Sequence, residues 1–354
     1  MIRILHVLLL AAVFLFGLKA DARKTSGAET VNSGTPGNAG TGRTRQNSAS
    51  VRESGSRVTV FVDGNGEKAY IPAHFKVSAR ADERTIRTGL VVIGPDGSEF
   101  VWVPTARGAL KTRDFGRYFS GGSFAVCRDD TGSSAYRAMS ESVAVYGGFY
   151  MGRYEASFGG GGSLADYVPA SKPVTDRRPG RIWVRFSPQN AAAVCGNLYR
   201  DNPTVRGFLP WGANWDATLL WLISSGGKSF QEVAGDSTSW GNYSNDAFSR
   251  NARANFTGAF EKAKANNIYD LAGNNWEWTQ ERGGGSKYVM RGGGSSLMGG
   301  ACPGDRFPVA IRDPLPGNSR HPNVCFRVAL YLVVHGKTGS SANEAELMKE
   351  AKIK

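Results

Sequence analysis

Apolar and polar residues alternate over short distances in the first part of the folded chain. Val58–Val62 is a β-favouring run closed by the turn residues Asp63–Gly66, and alternation resumes through Tyr70–Val77. Leu90–Ile93 and Phe100–Val103 read as two more strands, joined by the turn Pro95-Asp96-Gly97. Phe149–Tyr154, preceded by Gly147-Gly148, is a further aromatic strand. Helical spacing enters at Ser187–Asn197, where Ser187 is a candidate N-cap and Pro188 fits the first helical position. A second helix is expected over Trp215–Ser224, capped by Asn214, with Trp215, Leu219 and Leu222 on one face and Gly226-Gly227 as the stop. From Gly235 to Arg291 the pattern predicts loops carrying isolated Trp and Tyr, apart from a strand at Tyr288–Met290. Cys325–Val334 is a closing strand, and its apolar run from Phe326 to Val334 predicts a central position.

Two helices, short antiparallel strands and long irregular loops make an α+β domain. Composition supports this reading. The 354 residues include 46 Gly, 12 Tyr and 8 Trp, which suits turns packed by aromatics and excludes a coiled coil or a polytopic membrane protein. The net charge of +13 raises nucleic acid as a partner. The basic residues are scattered, however, with no run longer than two and no helix-length basic stripe, so a nucleic-acid partner is not expected.

The chain begins with a candidate export signal over residues 1–22. Arg3 supplies the positive end, Val7–Leu18 the apolar stretch, and Ala20-Asp21-Ala22 a small-x-small cleavage pattern. An uncleaved anchor is the alternative, and either version places the rest outside the cytoplasm: cell surface, periplasm or medium. Residues 23–57, rich in Ser, Thr, Gly and Arg, read as a flexible linker. Residues 58–87 form an N-terminal β extension, 88–335 the main domain and 336–354 a polar tail with helical potential from Asn343. Cys127, Cys195, Cys302 and Cys325 lack metal-finger spacing, and their three pairings stay open beside free, buried thiols.

Several blocks occur in order: Phe100-Val101-Trp102-Val103-Pro104, Gly148–Glu155, Gly207–Asp216, Ile268–Trp278 with its Leu-Ala-Gly-Asn-Asn-Trp-Glu-Trp core, Arg291-Gly292-Gly293-Gly294, and Phe326-Arg327-Val328-Ala329. Together they resemble the formylglycine-generating enzyme (sulfatase-modifying factor) superfamily over about residues 88–335. That resemblance implies a C-type-lectin-like fold. Trp276 and Trp278 read as buried scaffold on one face with Glu277 on the other. Arg291 and Arg327 read as structural donors that fix loop carbonyls. Asn274 and Glu277, three apart in a turn, are candidate calcium ligands, as the resembled family implies; no other cofactor is expected.

The resembled oxidases use two cysteines five residues apart after the Arg-Gly-Gly block to bind copper. Cys302 could stand at the second position, but Leu297 stands near the first and cannot ligate soft metal. A copper-dependent oxidoreductase is therefore the alternative, and no catalytic residue is assigned. The preferred reading is a non-catalytic branch of the same fold, the variable proteins of diversity-generating retroelements (treponeme variable protein A type). Leu209-Pro210-Trp211-Gly212-Ala213-Asn214-Trp215-Asp216 resembles their Leu-Pro-x-Gly-x-x-Trp-Asp phrase. The resemblance implies a variable region at 291–330. Its candidate ligand-contacting residues are Ser295, Leu297, Met298, Asp305, Phe307, Ile311, Asp313, Leu315, His321 and Pro322, set among framework residues such as Gly299 and Arg312. Trp211, Trp240 and Tyr243 read as core residues that could also rim such a surface. Function would be recognition of an unknown protein or surface ligand by a monomer associated with the cell envelope.

Overall fold

Strand by strand, successive side chains of the central sheet enter two different cores. In the computed structural model, residues 57–116, 124–158, 173–175, 182–243, 256–295 and 308–335 are described. In chain order the elements are β1 (Thr59–Val62), β2 (Lys68–Ile71), β3 (Lys76–Val77), β4 (Val91–Ile93), β5 (Glu99–Pro104), α1 (Ser134–Tyr146), β6 (Gly148–Gly152), β7 (Ser157–Phe158) and β8 (Pro173–Val174). There follow α2 (Pro188–Asn197), β9 (Val205–Phe208), α3 (Gly212–Ser224), β10 (Lys264–Ala265), β11 (Ile268–Tyr269), β12 (Trp276–Arg282), β13 (Lys287–Arg291), β14 (Arg312–Pro316), β15 (Val324–Phe326) and β16 (Ala329–Leu332). The fold class is α+β.

The larger sheet has the order β3-β4-β5-β6-β16-β9, with antiparallel neighbours throughout. Phe100, Trp102, Tyr150 and Leu330 fill one core with Ala191, Val194 and Cys195 of α2. Val101, Val103, Phe149, Met151 and Ala329 fill the other with α1 and α3. A sheet covered on both faces needs apolar residues at every position, which is why these strands read as continuous runs rather than alternating ones. Each fully buried large side chain contributes about 1.5–3 kcal/mol. β16 lies between β6 and β9, so the last apolar run is central as its composition predicts. The stretch 58–87 is continuous with this body: β3 is the sheet's edge strand, and Ala69, Ile71 and Phe75 belong to the first core.

The smaller sheet, β14-β13-β12-β15, pairs β12 with β15 in parallel and its other neighbours antiparallel. The elements correct four expectations. The Asn-Trp-Glu-Trp stretch runs into strand β12 rather than a turn or loop, with Glu277 opposite Arg291 on one side and Cys325 on the other. Arg312–Pro316 is a strand despite its two prolines, which an edge position tolerates. The single closing strand is two, β15 and β16, in different sheets. A third helix, α1, joins the two expected, capped by the Ser133 side chain and stopped by Gly147 in the left-handed region at φ 74°.

The cap of α2 is the one predicted: Ser187 accepts from the Asn190 N–H at 3.2 Å. That of α3 is not. The helix starts at Gly212, Asn214 lies inside its first turn and accepts from Trp211 N–H, and the first free N–H groups of Gly212 and Ala213 donate to Asp129 at 2.9 and 2.8 Å. Signal, linker and tail (1–22, 23–56 and 336–354) lie outside the described residues, among which no helix is long and apolar enough to cross a membrane.

Candidate functional site

Two buried ionic clusters hold the smaller sheet, and both grow out of the sequence blocks singled out above. The first is a closed ring. Arg291 ends β13 and Arg312 begins β14, directly opposite it. Asp216 comes from α3 and Glu281 from β12. Arg291 reaches Asp216 Oδ1 at 2.7 Å and Glu281 Oε2 at 3.1 Å. Arg312 takes the remaining oxygens, Asp216 Oδ2 and Glu281 Oε1, the latter at 2.8 Å. All four side chains are fully buried, so each carboxylate bridges both guanidiniums. Arg291 Nε also donates to Ile311 O at 3.0 Å, as a residue fixing loop carbonyls should.

The glycines of the Arg-Gly-Gly block follow from this anchoring. Gly292 and Gly293 lie at φ 87° and 77°, the left-handed region that glycine enters without a steric cost. A Cβ on Gly292 would stand 2.7 Å from Leu271 O. Gly292 O accepts from the Tyr243 hydroxyl at 2.8 Å, and Ser295 N–H donates to Asn274 O at 2.9 Å. On the other side of residues 296–307, Val309 N–H donates to Ser237 Oγ at 2.8 Å and Ala310 N–H to Val233 O at 3.2 Å.

Asp129 sits beside the ring as an odd carboxylate. Burial, then Glu281, raises it to about 7, although the Ala213 and Gly212 N–H groups favour its charged form. Burial, again with Glu281 next, pushes the Cys127 thiol up to about 11.

The second cluster surrounds Glu155, just after β6. Its Oε2 accepts from Asn274 Nδ2 at 2.6 Å, and its Oε1 from Asn275 N–H at 3.2 Å and Cys325 Sγ at 3.4 Å. Glu277 is held bidentately by Arg327, at 2.6 and 3.1 Å. Arg327 also donates to Gly152 O and Tyr269 O at 3.0 and 2.9 Å. Asp270 accepts from Gly258 N–H at 2.6 Å. Burial raises Glu155 well above the usual carboxylate range, with Asp270 and Glu277 adding to it. Burial also raises Asp270, to about 6, against Gly258 N–H and Arg327.

This geometry corrects the expected calcium pair. Asn274 and Glu277 do not converge as free donors. Asn274 Oδ1 already accepts from Asn242 Nδ2 at 3.1 Å, and the atom it turns to Glu155 is its Nδ2, a donor, so the pair does not offer converging oxygens to a calcium ion. Trp276 and Trp278 are buried in one core as expected, but Glu277 faces a second buried interior, not an open face.

The expected contact residues divide. Leu297, Met298, Asp305 and Phe307, with Cys302, lie outside the described residues. Ser295 and Ile311 are buried and cannot project toward a ligand, because one follows the turn into the scaffold and the other packs in the first core. Asp313 is buried on β14 and Leu315 is half-buried against that core. His321 is half-buried and Pro322 exposed. Trp211, Trp240 and Tyr243 are core residues. Cys127, Cys195 and Cys325 are free, buried thiols. The sequence reading missed Asp216 and Glu281 as partners of Arg291 and Arg312, and Glu155 and Cys325 as partners of each other. Asp216 closes a recognised block, and a buried arginine demands a carboxylate, so that signal was present.

No family model matches the chain, and no curated protein matches it. Solved structures give distant likenesses. One is to a protein described as CarF, at 14% identity over 53% of this chain and 87% of that one, with a TM-score of 0.33. Another is to Treponema denticola variable protein 1, at 14% identity over 77% of this chain and 98% of that one, with a TM-score of 0.25. These are fold-level likenesses of low degree. The chain is an α+β protein whose smaller sheet is pinned by two buried arginine–carboxylate clusters.

Proposed function

We propose that this chain is an exported, non-enzymatic ligand-binding protein with a C-type-lectin-like domain, which presents residues from the 291–325 stretch to a protein or other surface ligand. The observation that carries the reading is the ring. Arg291 and Arg312 bracket the stretch 292–311 and are fixed to the same two carboxylates. A scaffold that anchors both ends of a segment lowers the ordering cost of binding through it, so a few side chains can dominate affinity. The anchoring also lets the intervening residues change without loosening the domain, which is what diversification by a retroelement requires. Buried Ile311 and Arg312 then belong to the framework, and the contact set narrows to residues within 296–307 with His321 and Pro322.

Sequencing this locus across a population of source cells tests the reading. Substitutions should fall within 296–307 and at exposed neighbours, with Arg291, Ile311, Arg312, Phe326 and Arg327 constant. A uniform locus, or changes spread evenly over the chain, would overturn it.

A further inference from the structure

A thiol and two carboxylates converge in the interior beside Arg327. Cys325 lies directly across from Glu277 in the parallel pairing of β12 with β15. Glu155 approaches from the end of β6. The Cys325 sulfur and one oxygen from each glutamate all lie within 4.8 Å of one another. We propose that Glu155, Glu277 and Cys325 form a binding site for a thiophilic divalent cation of the zinc class, taken up as the chain folds.

Three arguments support this. The first is the donor set: one sulfur with two carboxylate oxygens suits zinc or cobalt, and suits calcium or magnesium poorly. The second is distance. A tetrahedral ion with a metal–sulfur bond of about 2.3 Å and a metal–oxygen bond of about 2.0 Å sets sulfur and oxygen about 3.5 Å apart. Cys325 Sγ and Glu155 Oε1 are 3.4 Å apart, and the Glu277 oxygen, within 4.8 Å of both, closes in when an ion is held. The third is charge. Glu155, Asp270 and Glu277 are three buried carboxylates around the one guanidinium of Arg327. An uncompensated buried charge is costly, and protons or a cation must supply the balance.

Uptake balances as an exchange. The cation enters and two protons leave, one from the Cys325 thiol and one from the Glu155 carboxyl, so the charge of the cluster is unchanged. No electron transfer is involved. Arg327 can stay in place, because a carboxylate has about four lone-pair positions and the guanidinium uses one on each Glu277 oxygen. Full burial of all three donors means entry during folding, with the binding energy added to that of the fold.

The test uses the full chain produced in medium supplemented with zinc or cobalt, with folding checked by circular dichroism. Metal analysis should find one equivalent per chain, and the cobalt form should show a sulfur-to-metal charge-transfer band. Cys325→Ala should lose both, while Cys195→Ala and Cys302→Ala keep both. Should Cys325→Ala not fold, Glu155→Gln is the second variant, with the same loss of the equivalent expected. X-ray absorption of the wild-type zinc form should find sulfur bound to the metal. Folded wild-type chain free of metal, metal without bound sulfur, or metal kept by Cys325→Ala would each overturn the proposal and leave protons as the balancing charge.

Discussion

Arg291 and Arg312 stand directly opposite each other on neighbouring strands, two like charges in register, and are reconciled by sharing Asp216 and Glu281 oxygen by oxygen. Like charges facing across strands ordinarily destabilise a sheet. Here each guanidinium fork meets one oxygen from each of two carboxylates, so no charge in the ring is left alone. The ring also joins α3, β12, β13 and β14 at one point.

Removing one member should therefore cost more than a surface ion pair. Arg312→Met leaves two buried carboxylates half-compensated, and should destabilise the fold by about 3–5 kcal/mol. Chemical unfolding measures it. Adding Asp216→Asn to Arg312→Met should cost less than the sum of the two single changes, because the second removes a charge the first has orphaned.

Stability should fall as the medium turns from acid to neutral, through Asp129. Its folded value of about 7 lies above the ordinary 3.8, chiefly through burial, so the folded state holds the proton more tightly than the unfolded one. The contribution is fully present below about pH 4 and is lost as pH rises through about 7. Asp129→Asn should flatten that part of the profile of melting temperature against pH. It should also lower stability by about 1 kcal/mol throughout, since one of the two helix-end N–H groups loses its acceptor. An unchanged slope in the variant would assign the pH dependence to other groups.

Gly292→Ala should destabilise by about 1–3 kcal/mol, from strained backbone and a methyl group forced onto a carbonyl. The ideal Cβ stands 2.7 Å from Leu271 O at a φ of +87°. Gly64→Ala, where nothing lies within 4 Å, is the matched control and should be close to neutral in the same thermal melt.

Cys195 and Cys325 should resist thiol reagents in the native protein. Both are fully buried and out of a reagent's reach, and burial also raises the Cys195 thiol well above the ordinary value, so little thiolate forms there. Peptide mapping after alkylation should find them labelled only in denaturant. Fast labelling of either in the native state would show that the core opens locally.

What could be read from the chain alone depended on whether the signal was local. Ser187 followed by Pro188 marks the start of α2 through backbone chemistry that needs no partner, and the cap forms as expected. The run Phe326–Val334 is apolar enough to require a central place, and β16 has one. For α1 the local signal was weaker: Ser133 caps it and Tyr136, Met139 and Val143 follow at helical spacing, but the buried polar Ser142 and the exposed apolar Val145 dilute the pattern. The start of α3 was misplaced because its cap, Asp129, is 83 residues away from Gly212.

The sequence by itself determined the class of fold, the blocks that build it and the arginines that anchor it, because turn residues, caps and apolar runs act over a few neighbours. Only the tertiary structure decided what those arginines hold and what gathers around them. Arg291 meets Asp216 across 75 residues, and Cys325 meets Glu155 across 170. It also decided that Ile311 is framework rather than surface, since burial depends on which strands pack together. Partners brought together by chain packing at such separations have no local signature, and they fix both the ring and the thiol–carboxylate cluster.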